Sequence, residues 1–353
     1  FEAPPGTCRT FCEARCTDEG FGDHAAPPGK QHANASCGRG PGRCPGCACQ
    51  GSGESCTAPS ADCIEAPHLR AADSDKCVLQ PGPDLQYGLT SEQVPEWLRF
   101  PHLATHYRLG GDHWQCAASL FRWHSETTNT WTMLVISAAS TALLVWVLAD
   151  ERPQGGDQAP FVLFWLSALM HMPWSVGYHL FMPISPSVYN WWRRMDVSFI
   201  FVCSCPLAFS LAYFIWPLWA TMVCLAAAIV VTTHALLKLA SLPEGKALDR
   251  RTNSLFLSTI VAVYLTPMVY QAVRDLVETG FTVGVGCLLV VVASLALSMW
   301  TYARCVPECY SHGTFDLLGR SHHIMHVLVG VAHAAEFVFI LQMYRGRHRP
   351  VLA

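Results

Sequence analysis

Long uncharged apolar runs separated by short polar intervals dominate the chain from about residue 128 onward. A bilayer crossing needs about 20 apolar residues at a 1.5 Å rise each, and these runs meet that length. They predict helices from about Thr128 to Ala149, Pro160 to Met182, Thr252 to Val273, Thr279 to Ala303 and Ser321 to Tyr344. After Arg193, Arg194 and Asp196 no formal charge occurs until Lys238. As one helix that stretch would measure about 60 Å, twice the hydrocarbon core, so two crossings must share it. Trp216-Pro217 is the natural break, because proline suits a first helical turn. The predicted fold class is all-α integral membrane, a seven-transmembrane bundle over residues 128–344.

The flanks read differently. Residues 1–93 are rich in Gly, Pro, Ser, Ala and Cys with almost no periodic apolar pattern, a composition that builds no core without crosslinks or metal. Residues 94–127 carry Trp97, Leu98, Phe100, Tyr107, Trp114, Leu120 and Phe121 among charges, which suits a segment at the membrane surface. Residues 345–353 form a short basic tail.

Composition agrees with the bilayer as solvent: 51% of the 353 residues are hydrophobic and 14% charged. The net charge of -3 and the scattered basic residues exclude a nucleic-acid footprint. Ten of the 17 cysteines (Cys8, Cys12, Cys16, Cys37, Cys44, Cys47, Cys49, Cys56, Cys63 and Cys77) precede the first apolar run. Such a cluster means disulfides outside the cytosol or metal binding inside it, and composition does not choose. No signal peptide is visible, and an opening on Phe1 rather than Met is consistent with a processed or incomplete end.

Lys and Arg gather on the side shared by the N-terminal region and the second-third, fourth-fifth and sixth-seventh loops, which predicts a cytosolic N-terminus. That expectation collides with a disulfide reading of the cysteines and with the sequon Asn34-Ala35-Ser36. The membrane itself, plasma or internal, is left open.

Ionisable residues inside a membrane are costly and mark functional positions. On the seventh helix His322 and His326 stand four apart, on one face and one turn from each other. An HxxxH pair alone is equally well explained by capped or interfacial histidines. On the second helix Ser175 stands one turn before His179. Asp196 is expected to open the third helix, where the helix dipole alone would favour a carboxylate. In combination these groups say more, because the topology puts all of them on one side of the membrane. Three neutral imidazoles with an open fourth position make a catalytic-type zinc site. The candidate ligands are His179, His322 and His326. His171 and His234 read as core or interface residues, and Glu336 is expected to pair locally, with His333 as the nearby partner.

At this point the motifs become specific. Residues 116–132, Cys-Ala-Ala-Ser-Leu-Phe-Arg-Trp-His-Ser-Glu-Thr-Thr-Asn-Thr-Trp-Thr, together with Val94-Pro95-Glu96-Trp97-Leu98 and Tyr107-Arg108, resemble the opening signature of the progestin and adipoQ receptor family. Ser175/His179, Asp196 and the run Ser321 to Val327 match its later motifs, and the likeness covers about Val94 to Tyr344. The chain departs from the pattern at Met133, where the family has His, and at Val197-Ser198-Phe199. Those departures touch packing and ligand preference more than the metal.

The resemblance implies a zinc-binding bundle. Related superfamily members include the alkaline ceramidases and the lipid-remodelling enzymes of GPI anchors. It therefore implies a lipid amide such as ceramide as substrate, with Asp196 acting on the zinc-activated water and Ser175 hydrogen-bonding the water or the oxyanion. The competing implication is a receptor for a steroid, lipid or protein hormone with a structural zinc. Membrane lipids are the expected partners in either case.

Overall fold

Backbone polar groups cannot stay unpaired in hydrocarbon, so an uncharged run of crossing length closes its hydrogen bonds within a helix. The computed structural model describes residues 78–348 apart from residue 244. The ten N-terminal cysteines, the sequon and residues 349–353 lie outside the described residues.

Two short strands, β1 (Gln86–Leu89) and β2 (Tyr107–Leu109), pair antiparallel and lead into a short helix, α1 (His113–Ala118). Seven long helices follow: α2 (Thr127–Trp146), α3 (Ala159–Phe181), α4 (Pro186–Ala212), α5 (Leu218–Ala240), α6 (Arg250–Glu278), α7 (Val283–Arg304) and α8 (Ser321–His348). All seven are long and apolar enough to cross a membrane, which fits a multi-pass integral membrane protein. Their outer faces are apolar, as lipid contact requires, with Val223, Val230 and Leu237 of α5 all exposed. Inside the bundle Phe161, Phe201, Met268 and Phe339 are fully buried in one cluster that draws on α3, α4, α6 and α8.

Helix starts follow local capping chemistry. Pro217 lies at the N-cap of α5, one residue ahead of the first turn. Thr282 rather than Thr279 starts the sixth crossing, its hydroxyl accepting the Val285 N–H at 3.3 Å. The larger correction concerns Asp196, which does not open the third crossing. Ser185 caps that helix through the Val188 N–H, and Pro186 occupies the first turn. Asp196 is thus the eleventh residue of α4, counting from Pro186, about 15 Å along the axis. The basic pair does not end a loop there: Arg193 reaches Asn190 and the Gly245 carbonyl, and Arg194 reaches the Leu242 carbonyl. A first-turn dipole role for Asp196 is excluded by this placement.

The segment before α2 folds back over one end of the bundle. Val94, Leu98, Leu103, Tyr107 and Leu109 pack with Tyr178 and Met182 at the C-terminal end of α3. Of the residues that suggested a surface segment, Leu98 and Tyr107 lie in this buried cluster and Trp97 and Phe100 pack against it, whereas Trp114 and Phe121 are exposed.

Candidate metal centre

His179 lies in the last turn of α3, and His322 and His326 lie in the first two turns of α8. Both helix ends are held from outside the bundle. Arg108, buried in the cap, donates to the His179 carbonyl at 2.7 Å and also to the Ser119 hydroxyl. It thereby satisfies a carbonyl that the end of α3 would otherwise leave unpaired. At the start of α8 the Glu308 carboxylate accepts the Ser321 N–H at 2.7 Å and also the Ser321 hydroxyl, an anion placed where the helix dipole favours it.

These anchors bring three imidazoles together. The ligand-capable atoms of His179, His322 and His326 all lie within 4.8 Å of one another. Ring centroids are 5.1 Å apart for His179 and His322, 5.5 Å for His179 and His326, and 4.8 Å for His322 and His326. Nε2 of His179 and Nε2 of His322 are buried without a hydrogen-bond partner among the described residues. Buried polar atoms are rarely left so, because each forfeits its hydration. Two orphaned imidazole nitrogens facing a third imidazole fit a metal ion, and the all-nitrogen donor set suits zinc among others.

In His179 and His326 the Nδ1 atom is fixed by a partner. Nδ1 of His179 bonds Glu126 Oε2 at 2.8 Å, and Nδ1 of His326 bonds the Thr132 hydroxyl at 2.9 Å. Glu126 is itself held by Arg320 at 2.7 Å and by the Asn129 amide at 2.7 Å. Burial works against its charge, but Arg320 and His179 overcome that and keep its carboxyl well below the usual carboxylate range. His124, two residues earlier, is buried among cap residues, and burial first, then Arg108, pushes its pKa down to about 3. Burial also lowers Arg108 to about 10, still protonated at neutral pH.

Asp196 does not join the three histidines. Its Oδ1 bonds His171 Nε2 at 3.0 Å, and His171 precedes His179 by eight residues, about 12 Å along α3. The two pairs differ in access. The Glu126 and His179 side chains are 4% and 1% exposed, whereas Asp196 and His171 retain 16% and 21%. The first pair is sealed, and the second stays partly exposed. Ser175 lies one turn before His179 on α3 and is buried.

The three histidines, Ser175 and Asp196 are legible along the chain, but their supports are not. Glu126, Thr132, Asn129 and Arg320 come from the α1–α2 connection, α2 and the α7–α8 loop, and no spacing rule links them to His179 or His326. Arg320 stood out only as a loop charge, and His171 only as an apolar-helix histidine. His333 and Glu336 do pair, at 2.7 Å, and His234 packs on Phe256.

A cavity of about 550 Å³ opens between α2, α3 and α8, lined by Trp123, Thr132, Ile136, Phe164, Val327 and His333 among others. Thr132 belongs both to its wall and to the support of His326.

A profile of the family described as Haemolysin-III related matches residues 121–337. Membrane progestin receptor beta of Homo sapiens is 24% identical over 289 residues, 76% of this chain and 80% of that protein. The Mus musculus form is 24% identical over 290 residues, 77% of this chain and 80% of its own length. Adiponectin receptor protein of Drosophila melanogaster is 23% identical over 241 residues, 65% of this chain and 52% of that receptor. Because the profile spans more than half of the chain, from the end of the cap to the middle of α8, the chain belongs to the Haemolysin-III related family, with the progestin and adipoQ receptors that its ordered motifs resemble.

Proposed function

We propose that the chain is a zinc-dependent hydrolase of a lipid amide such as ceramide, working inside the membrane. The observation that carries this reading is the convergence of three buried imidazoles, two with orphaned nitrogens, within an apolar bundle. His179, His322 and His326 would hold the ion, and a three-nitrogen site keeps one position open. When bound, zinc supplies a water of near-neutral pKa and polarises a carbonyl.

The remaining work falls to the chain. Asp196, its Oδ1 fixed by His171, would take the water's proton on Oδ2. Ser175 would donate its hydroxyl hydrogen to the developing oxyanion. Glu126 holds His179 in the tautomer that directs Nε2 inward, and Arg320 keeps Glu126 ionised. The cap would exclude bulk water from that end of the bundle, and the basic residues gathered there support a cytosolic orientation of the cap.

A second reading has its own support, since the relatives are named as receptors. There zinc would be structural, and a steroid, lipid or protein hormone would bias the bundle. Purified protein, assayed for bound zinc and then incubated with ceramide in mixed micelles, separates the two. Release of free fatty acid that stops on chelation supports the hydrolase. Full zinc occupancy without release of fatty acid from any lipid amide overturns it and leaves the receptor.

A further inference from the structure

We propose that His102 and His312 form a second transition-metal site, sharing no residue with the three-histidine centre, which clamps the cap to the α7–α8 loop. The two residues stand 210 positions apart, yet His102 Nδ1 and His312 Nε2 face each other at 3.0 Å. Two nitrogens sharing one tetrahedral zinc at 2.0–2.1 Å each would stand roughly 3.3 Å apart, so the pair is already near ligating separation. The ring centroids are 4.6 Å apart at 63°, so the rings cross rather than stack. Histidine is the commonest ligand for such metals, and His312 is exposed and His102 half-buried, so an ion can reach them.

The backbone supplies a second observation. His102 lies at a φ of 62°, in the left-handed region that side chains other than glycine adopt at a cost. That conformation aims its ring across at the α7–α8 loop.

The two segments are registered by other contacts as well. Asp316 accepts the Thr105 N–H and the Thr105 hydroxyl, each at 2.7 Å, and the Gly313 N–H approaches the His102 carbonyl at 3.5 Å. The same loop supplies Glu308 to the start of α8 and ends in Arg320, which holds Glu126. A metal bridging His102 and His312 would therefore steady the segment that delivers His322 and His326, in response to free divalent transition metal.

The test uses the full chain, purified in detergent with its first metal retained, and zinc chloride as the probe. Histidine acylation by diethyl pyrocarbonate, read by peptide mass spectrometry, reports His102 and His312 individually. The expected result is that micromolar zinc slows acylation of both residues together, at least fivefold. In His312→Ala the protection of His102 disappears, and equilibrium dialysis finds one bound zinc fewer than in wild type. That difference cancels any zinc held by the N-terminal cysteines. His312→Cys, which restores a ligand, returns the lost equivalent. Equal acylation of His102 with and without zinc, or equal zinc uptake by wild type and His312→Ala, overturns the proposal and leaves a hydrogen-bonded pair.

Discussion

Oε2 of Glu126 lies 2.8 Å from Nδ1 of His179, while Oε1 of the same carboxylate lies 2.7 Å from the Arg320 guanidinium. One buried carboxylate thus links the end of α3 to the residue just before α8, the two places that supply the three histidines. Glu126→Gln keeps the size but loses the charge that orients the imidazole. The expected loss is about 10- to 100-fold in metal affinity, the usual cost of removing a partner behind a ligating histidine. Competition against a zinc chelator measures it, and unchanged affinity would remove Glu126 from the metal centre.

Replacing His179, His322 or His326 by Ala should each strip the bound metal, because each would supply a third of the protein ligands. His323 is the internal control. It is buried beside them, but its Nδ1 accepts the Arg320 N–H at 3.3 Å and it is not part of the converging group. Elemental analysis of the four variants should find one metal equivalent fewer in each of the three than in His323→Ala. The reverse pattern on α8 would mean a different helix face carries the site.

Asp196→Asn and Ser175→Ala should leave zinc in place while turnover falls. The expected drop is on the order of 100-fold or more for the positioned carboxylate and less for a hydroxyl that shares its role. Ceramide hydrolysis and bound zinc measured on the same samples make the comparison. Retained turnover in Asp196→Asn would rule the carboxylate out as the base.

Acid should destabilise the cap through His124. Its pKa falls from 6.5 to about 3 in the folded chain, so between those values the unfolded chain binds a proton that the folded chain does not. Stability is therefore full above pH 6.5 and declines as pH falls, by about 1.4 kcal/mol per pH unit for this one group. Thermal unfolding of wild type and His124→Gln from pH 7.5 to 4.5 isolates the contribution. The variant should start less stable and show the shallower slope; parallel slopes would refute the assignment.

Gly177→Ala should disrupt the α3–α4 contact. An added Cβ would lie 2.0 Å from Cζ3 of Trp192, far inside contact distance, and that ring is wedged among Trp174, Phe181 and Trp191. A cost of about 1–3 kcal/mol is expected for such overpacking, with loss of metal because His179 lies two residues on. Wild-type melting of this variant would show that the ring can give way.

Much of this architecture is legible along the chain, and the physical reason is the membrane. A helix that crosses hydrocarbon must be long and largely uncharged, so the seven crossings follow from the lengths of the uncharged runs, and the break at Pro217 from proline's preference for a helix start. His322 and His326 are legible because one helix fixes their spacing. Asp196 reads as a helix opener because Arg193 and Arg194 look like a loop, whereas Ser185-Pro186 starts the helix and the arginines reach across to the α5–α6 connection. Glu126 and Arg320 are joined only by folding across 194 positions, a relationship that no local pattern encodes.

The cavity between α2, α3 and α8 is walled by side chains of the lipid-facing helices and touches the histidine cluster through Thr132. Exposed Val135, Val327 and Val331 line it, so a ligand entering by that side would come from the bilayer rather than from bulk water. Its effective concentration is then a mole fraction in the plane of the membrane, and diluting the sample with buffer leaves it unchanged. Added inert phospholipid would lower occupancy of the cavity even at constant total ligand, so affinities for this protein belong on a surface-dilution scale.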